Sequence, residues 1–151
     1  MLVQDAMTPL EVEVGVAHTL RQAAQLMAAR GVGSAIVNDP DGAGPGIITE
    51  RDILRAFAAG PGSGDSLVGE YLTASAVYAE PDWSLDHAAA AMIDGGFRHL
   101  VVMRGGDVAG VISVRDIVRA WAGERGLLAG ASGGASPDRA TAPEDAIVGT
   151  A

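Results

Sequence analysis

Gly46-Ile47-Ile48-Thr49-Glu50-Arg51-Asp52-Ile53 returns 64 positions later as Gly110-Val111-Ile112-Ser113-Val114-Arg115-Asp116-Ile117. Both copies run from a glycine through an aliphatic pair to a hydroxyl residue, then to Arg-Asp and isoleucine. An internal repeat settles the architecture ahead of any local reading. The repetition also extends backward. Thr19-Leu20-Arg21-Gln22-Ala23-Ala24 corresponds to Ser84-Leu85-Asp86-His87-Ala88-Ala89, and Ala6-Met7-Thr8-Pro9 to Tyr71-Leu72-Thr73-Ala74, both at a shift of 65. The change from 65 to 64 falls between 38–45 and 104–109, turn-like stretches that tolerate a change of length.

Each copy reads as β-α-β-β-α. An extended stretch (Glu11 to Val14; Ala76 to Ala79) precedes a helix that Thr19 or Ser84 caps, with Thr19 and Gln22 spaced as a capping box. Leu20, Ala23, Ala24 and Met27, like Leu85, Ala88, Ala89 and Met92, fall at helical spacing on one apolar face. Gly31 and Gly95 or Gly96 end these helices. Two strands follow (Ser34 to Val37 and Gly46 to Ile48; His99 to Met103 and Val108 to Ile112). The last helix carries Ile53, Leu54 and Phe57, or Ile117, Val118 and Trp121, as its apolar face. The boundaries are 1–60 for the first repeat, 61–67 for a linker and 68–125 for the second. Residues 126–151, rich in Gly, Ala, Ser, Pro and Thr without periodicity, read as a disordered tail. Neither repeat is long enough to be comfortable alone, so two copies facing each other should share a core.

The whole chain has 151 residues, 48% of them hydrophobic, enough for a core without staples. It has no cysteine, which excludes disulfides, thiolate metal sites and cysteine nucleophiles. The net charge of −9 disfavours general nucleic-acid binding, whose affinity comes from neutralising phosphates. No apolar run approaches the roughly 18 residues of a membrane span, and Met1 to Pro9 lack the basic start of a secretion signal. These features predict a soluble cytoplasmic protein. Three scattered histidines show no metal-ligand spacing.

Two such units in register, each closing with Gly-x-x-Thr/Ser-x-x-Asp, resemble a CBS-domain pair, or Bateman module. The resemblance covers about residues 1 to 125 and is supported by Ala6-Met7-Thr8-Pro9. It implies an α/β (α+β) fold of two β-α-β-β-α repeats packed about a pseudo-two-fold axis, in a stand-alone CBS domain-containing protein. It also implies a non-catalytic regulatory module that binds an adenosine-containing ligand (AMP, ADP, ATP or S-adenosylmethionine) between the repeats, with no covalent cofactor. A homodimer and an effector protein of unknown identity are implied as partners. Each site would draw on both repeats. One would join Thr49 and Asp52 to Thr73, Phe97, Arg98 and His99; the other would join Ser113 and Asp116 to Thr8, Val32, Gly33 and Ser34. Arg51 and Arg115 could face a phosphate or a dimer partner.

The residues themselves leave room for a plainer reading. Thr49-x-x-Asp52 is also a capping box with a shortened acid. A carboxylate at a helix start can instead accept ribose hydroxyls, beside free N–H groups that favour anions. Arg98 and His99 add positive charge to one site, where Gly33 and Ser34 add none, so the Asp52 site should prefer phosphorylated ligands. Many relatives carry a bulky or basic residue at the Gly33 position, and Ala74 replaces the proline of the first copy. His18 and His87 read as structural or exposed, Trp83 as a hydrophobic staple, and Trp121 as core or dimer interface. Ligand-independent dimerisation or partner docking is the competing function. An enzyme is disfavoured, because no nucleophile–base pair, P-loop or dinucleotide-binding glycine turn is present.

Overall fold

The computed structural model describes residues 1–42, 44–73 and 76–128. Most of the expected disordered tail (129–151) and Ala74 lie outside the described residues; 126–128 continue a turn after the last helix. The element order is α1 (Val3–Ala6), β1 (Thr8–Pro9), β2 (Glu13–Gly15), α2 (Leu20–Arg30), β3 (Ser34–Asn38), β4 (Gly46–Thr49) and α3 (Glu50–Ala59). A 3-10 turn (Ser63–Asp65) follows. The second half is α4 (Val68–Tyr71), β5 (Tyr78–Ala79), α5 (Leu85–Gly95), β6 (His99–Arg104), β7 (Asp107–Ser113) and α6 (Val114–Glu124).

Each repeat forms its own sheet. In the first, β2 runs parallel to β3, which pairs antiparallel with β4. In the second, β5, β6 and β7 repeat that pattern. Alternation along the strands assigns their two faces. Ala35, Val37 and Ile48 turn toward α2 and α3 with Leu20, Ala23, Met27 and Ala56. Leu100, Val102 and Ile112 do the same with Leu85, Ala88, Met92 and Ile117. The intervening side chains Ile36, Ile47 and Val101 form a third cluster, in the seam between the sheets. Both faces of these strands are therefore buried, as their continuous apolar runs require.

The repeats also exchange their leading segments, which the β-α-β-β-α reading did not include. β1 pairs antiparallel with β7 of the other repeat, Thr8 opposite Val111 and Pro9 opposite Gly110. The corresponding Thr73 donates its N–H to the Ile47 carbonyl (2.9 Å) and accepts from the Ile47 N–H (3.3 Å). The short helices cross in the same way. Val3 is buried in the second repeat's core and Val68 in the first. Each such valine contributes about 1.5–3 kcal/mol by burial. Asp5 and Glu70 hold the helix starts by accepting the Leu2 and Leu67 N–H groups (2.9 and 2.7 Å).

The exchange explains the glycine that heads each motif. A Cβ on Gly110 would overlap the Thr8 carbonyl oxygen. A Cβ on Gly46 would lie 2.7 Å from Leu72 Cδ1 and 3.3 Å from the Thr73 oxygen. A leucine methyl can yield where a paired backbone cannot.

The apolar face read for the last helices divides in two. Ile53 and Ile117 pack inward, and Trp121 lies against the second core. Leu54, Phe57 and Val118 are instead 66%, 76% and 54% exposed. Ile53 and Ala56 form the inner stripe, which leaves Leu54 and Phe57 one position round the helix.

Gly110→Ala is expected to cost roughly 1–3 kcal/mol and Gly46→Ala measurably less, as read by urea denaturation. Equal costs would contradict this account of the close approach.

Candidate functional site

At the start of α3 the Thr49 N–H (2.9 Å) and hydroxyl (2.8 Å) both donate to Asp52 Oδ2, and the Asp52 N–H donates back to Thr49 Oγ1 (3.4 Å). Ser113 and Asp116 repeat the arrangement at α6, with 2.8, 2.6 and 3.3 Å. The capping reading therefore holds in both copies. It does not use up the carboxylates. Among the described residues, Asp52 Oδ1 has the Arg55 guanidinium nearby, at 3.8 Å, and Asp116 Oδ1 has Arg119 at the same distance. Two lone pairs remain on each Oδ1 for hydroxyl donors. Asp52 is 6% exposed and is the one buried charged residue among the described residues. Burying a charge is costly unless it is satisfied.

Two clefts open along the seam. The first, of about 280 Å³, is lined by Thr49, Arg51, Asp52, Thr73, Phe97, Arg98 and His99. These are the residues expected for one mixed site, with Arg51 added. The second, of about 130 Å³, is lined by Thr8, Val32, Gly33, Ser34, Ser113, Arg115 and Asp116. The exchanged arms bring Thr73 and Thr8 into place, because each is paired with the strand that leads into the other repeat's Asp helix.

Several lining residues escaped the sequence reading. Glu50 and Arg55 join the first cleft, and Glu11 and Arg119 the second. A signal existed for the arginines, since a residue three after the aspartate shares its helix face. Gly33 lines the second cleft and has a further role there. A Cβ there would lie 2.6 Å from Glu50 Oε1, so the glycine makes room for the Glu50 carboxylate. The second repeat places Arg98 and Val114 at the corresponding positions. The first cleft thus holds three arginines against two carboxylates, and the second two against two.

His99 lines both clefts. Burial holds its pKa below the ordinary 6.5; Glu50 and Asp116 pull it back up, and Arg115 and Arg98 push it down. His18 and His87 line neither cleft. His18 Nδ1 accepts the Gly15 N–H (2.9 Å), and His87 stacks on Trp83 with ring centres 4.0 Å apart. Trp83 also packs on the second core, so its ring bridges the exposed His87 and the interior. No group of three or more metal-ligating side chains occurs among the described residues. No helix among them is long and apolar enough to cross a membrane.

Paired β-α-β-β-α units with exchanged arms and two seam clefts define a class of tandem-repeat folds. The CBS domain family model matches residues 3–59 and 68–123, and the chain belongs to the CBS-domain family. Proteins of this family are typically regulatory. An uncharacterized 17.7 kDa protein of Acidianus ambivalens is 37% identical over 103 residues, which take in 68% of this chain and 62% of that protein. A Methanopyrus kandleri protein matches over 55% of its length, so the chain spans about three fifths of these relatives. A CBS-domain containing protein of Agrobacterium tumefaciens superposes with a TM-score of 0.72 at 33% identity, over 80% of this chain and 92% of that one. The CBS domain pair of protein MJ0100, in complex with 5′-methylthioadenosine and S-adenosyl-L-methionine, has a TM-score of 0.72 at 24% identity, over 82% and 98%. At that identity the likeness is one of fold.

The depressed His99 pKa has a consequence for stability. The unfolded chain takes up this proton first as pH falls, so stability is full above about 6.5 and declines from 6.5 down to the folded value. Denaturation of wild type and His99→Gln across pH 5 to 8 should show this decline only in the wild type. Parallel curves would contradict it.

Proposed function

We propose that this chain is a non-catalytic regulatory module that binds an adenosine-containing ligand in the cleft between its repeats. The carrying observation is the Asp52 carboxylate, buried beside a cleft of about 280 Å³, with one oxygen spent on its own cap and the other open. An open carboxylate oxygen of that kind accepts the two hydroxyls of a ribose. Arg51, Arg55 and Arg98 stand where phosphate charge would fall, and guanidinium groups bind phosphate through paired donors. Phe97 and the seam side chains Ile47, Ala76 and Val77 supply apolar surface for the base.

Size and charge rank the two clefts. Ligand clefts run from roughly 300 to 1,000 Å³, so the first approaches that range and the second falls well below it. The surplus arginine also lies in the first. This reading therefore assigns the phosphorylated ligand (AMP, ADP or ATP) to the Asp52 cleft. The Asp116 cleft is left for a smaller or less charged group. A cytoplasmic location accompanies this reading, since such ligands are held there.

A homodimer belongs to the same reading. Leu54 on α3 and Val118 on α6 occupy equivalent positions and are exposed, as is Phe57. Apolar side chains at matching places on two helices suit a second copy applied to that side.

A ligand present at 100 times its dissociation constant adds about 2.7 kcal/mol to stability, a rise in Tm of roughly 5–11 °C for a domain of this size. A thermal-shift series with AMP, ADP, ATP and S-adenosylmethionine should show such a rise for at least one of them. Asp52→Asn keeps a capping acceptor but removes the charge. It should weaken binding roughly 10–100-fold, the worth of about 1.5–3 kcal/mol for a charged hydrogen bond. No rise with any of the four, from a folded protein, would overturn the ligand reading. For the dimer, light scattering of Phe57→Glu should report a monomer where the wild type reports two copies; a monomeric wild type would overturn that part.

A further inference from the structure

Of the described residues that line the two clefts, His99 alone is common to both. Its place on β6 explains this. Leu100 and Val102 turn into the second core, while Val101 turns into the seam between the sheets. His99 stands two residues from Val101 and shares that side of the strand. It lies opposite Ser113, the cap of the second cleft's helix, and beside Arg98 of the first. The corresponding residue of the first repeat, Ser34, lines the second cleft only. The pseudo-symmetry thus breaks at a titratable side chain.

We propose that His99 couples the two clefts, so that the charge of a ligand in one sets the affinity of the other. This rests on the ligand reading above and adds its regulation. The charged groups that face His99 come from both sides: Glu50 on α3, Asp116 and Arg115 on α6, and Arg98 next to it. With the ring neutral, the clefts are independent. An anionic group bound in either cleft favours the imidazolium, and that single positive charge then faces the other cleft as well. A second anion is drawn in, and a cationic group such as a sulfonium is opposed. Coupling of this kind is reciprocal. It takes up a proton on binding, so the affinity for an anionic ligand rises as pH falls, by at most about tenfold per pH unit for one proton.

The test has a ligand-free arm and a ligand arm. In a ¹H–¹⁵N NMR pH titration without ligand, the amide signals of Phe97 in one cleft and of Ser34 and Ser113 in the other should move with one shared midpoint. His99→Asn should abolish that transition. Asp116→Asn, which leaves the histidine in place, should lower the midpoint as seen from Phe97 across the seam. In the ligand arm, calorimetry with ADP in two buffers of different ionisation enthalpy should show proton uptake near that midpoint, lost in His99→Asn. Different midpoints in the two clefts, movement in one cleft alone, or ADP binding without proton uptake would overturn the coupling and leave the ligand reading intact. A folded chain that binds no ADP or other adenosine compound would defeat the ligand reading and, with it, the coupling.

Discussion

Thr8 lies against Val111 of the second repeat, and Thr73 against Ile47 of the first. These crossed pairings are backbone contacts, so they hold whatever the side chains are, provided nothing projects from the strand beneath. That requirement fixes Gly110 and, less strictly, Gly46. The same arms carry Val3 and Val68 into the opposite cores. Neither repeat then has a complete core of its own. The seam that results is where the clefts lie, each bounded by the Asp helix of one repeat and the arm and hairpin of the other.

The internal repeat makes two equivalent clefts, and a few differences between the copies set them apart. Arg98 and Val114 in one repeat stand where Gly33 and Glu50 stand in the other. Those two exchanges move a positive charge into the Asp52 cleft and a carboxylate across from the second repeat's hairpin. The Thr49–Asp52 and Ser113–Asp116 caps stayed nearly identical. The cap is needed for folding in both copies, because a helix start leaves N–H groups unpaired. Chemistry at the rim is free to diverge, because it carries no such duty.

How much of this was legible in the sequence depended on the range of the interaction. The helices Leu20–Arg30 and Leu85–Gly95 and the β3–β4 and β6–β7 hairpins followed from local periodicity and turn residues. The mixed grouping of site residues came from family resemblance, since no spacing rule says that Thr73 meets Asp52. The arm exchange was missed, although Leu2, Val3 and Asp5 recur as Leu67, Val68 and Glu70 at the same shift of 65. A four-residue helix is too short to show a period, and its burial depends wholly on the other repeat. Leu54, Phe57 and Val118 share one apolar face with Ile53 and Ile117 in the sequence, because an apolar residue at helical spacing does not announce whether its partner lies inside the chain or outside it. His99 was legible as a site residue, but its double placement required the seam to be seen in three dimensions.

The crossed arms make the two repeats one cooperative unit. Both tryptophans, Trp83 and Trp121, lie in the second repeat, whereas circular dichroism reports on both. Met27→Ala removes packing in the first repeat's core at a cost of roughly 2–5 kcal/mol. Urea unfolding of this variant should be followed by both probes. The account predicts coincident transitions, with the tryptophan midpoint displaced from wild type as far as the circular dichroism midpoint. A tryptophan transition that stays at its wild-type position while the circular dichroism splits in two would contradict it.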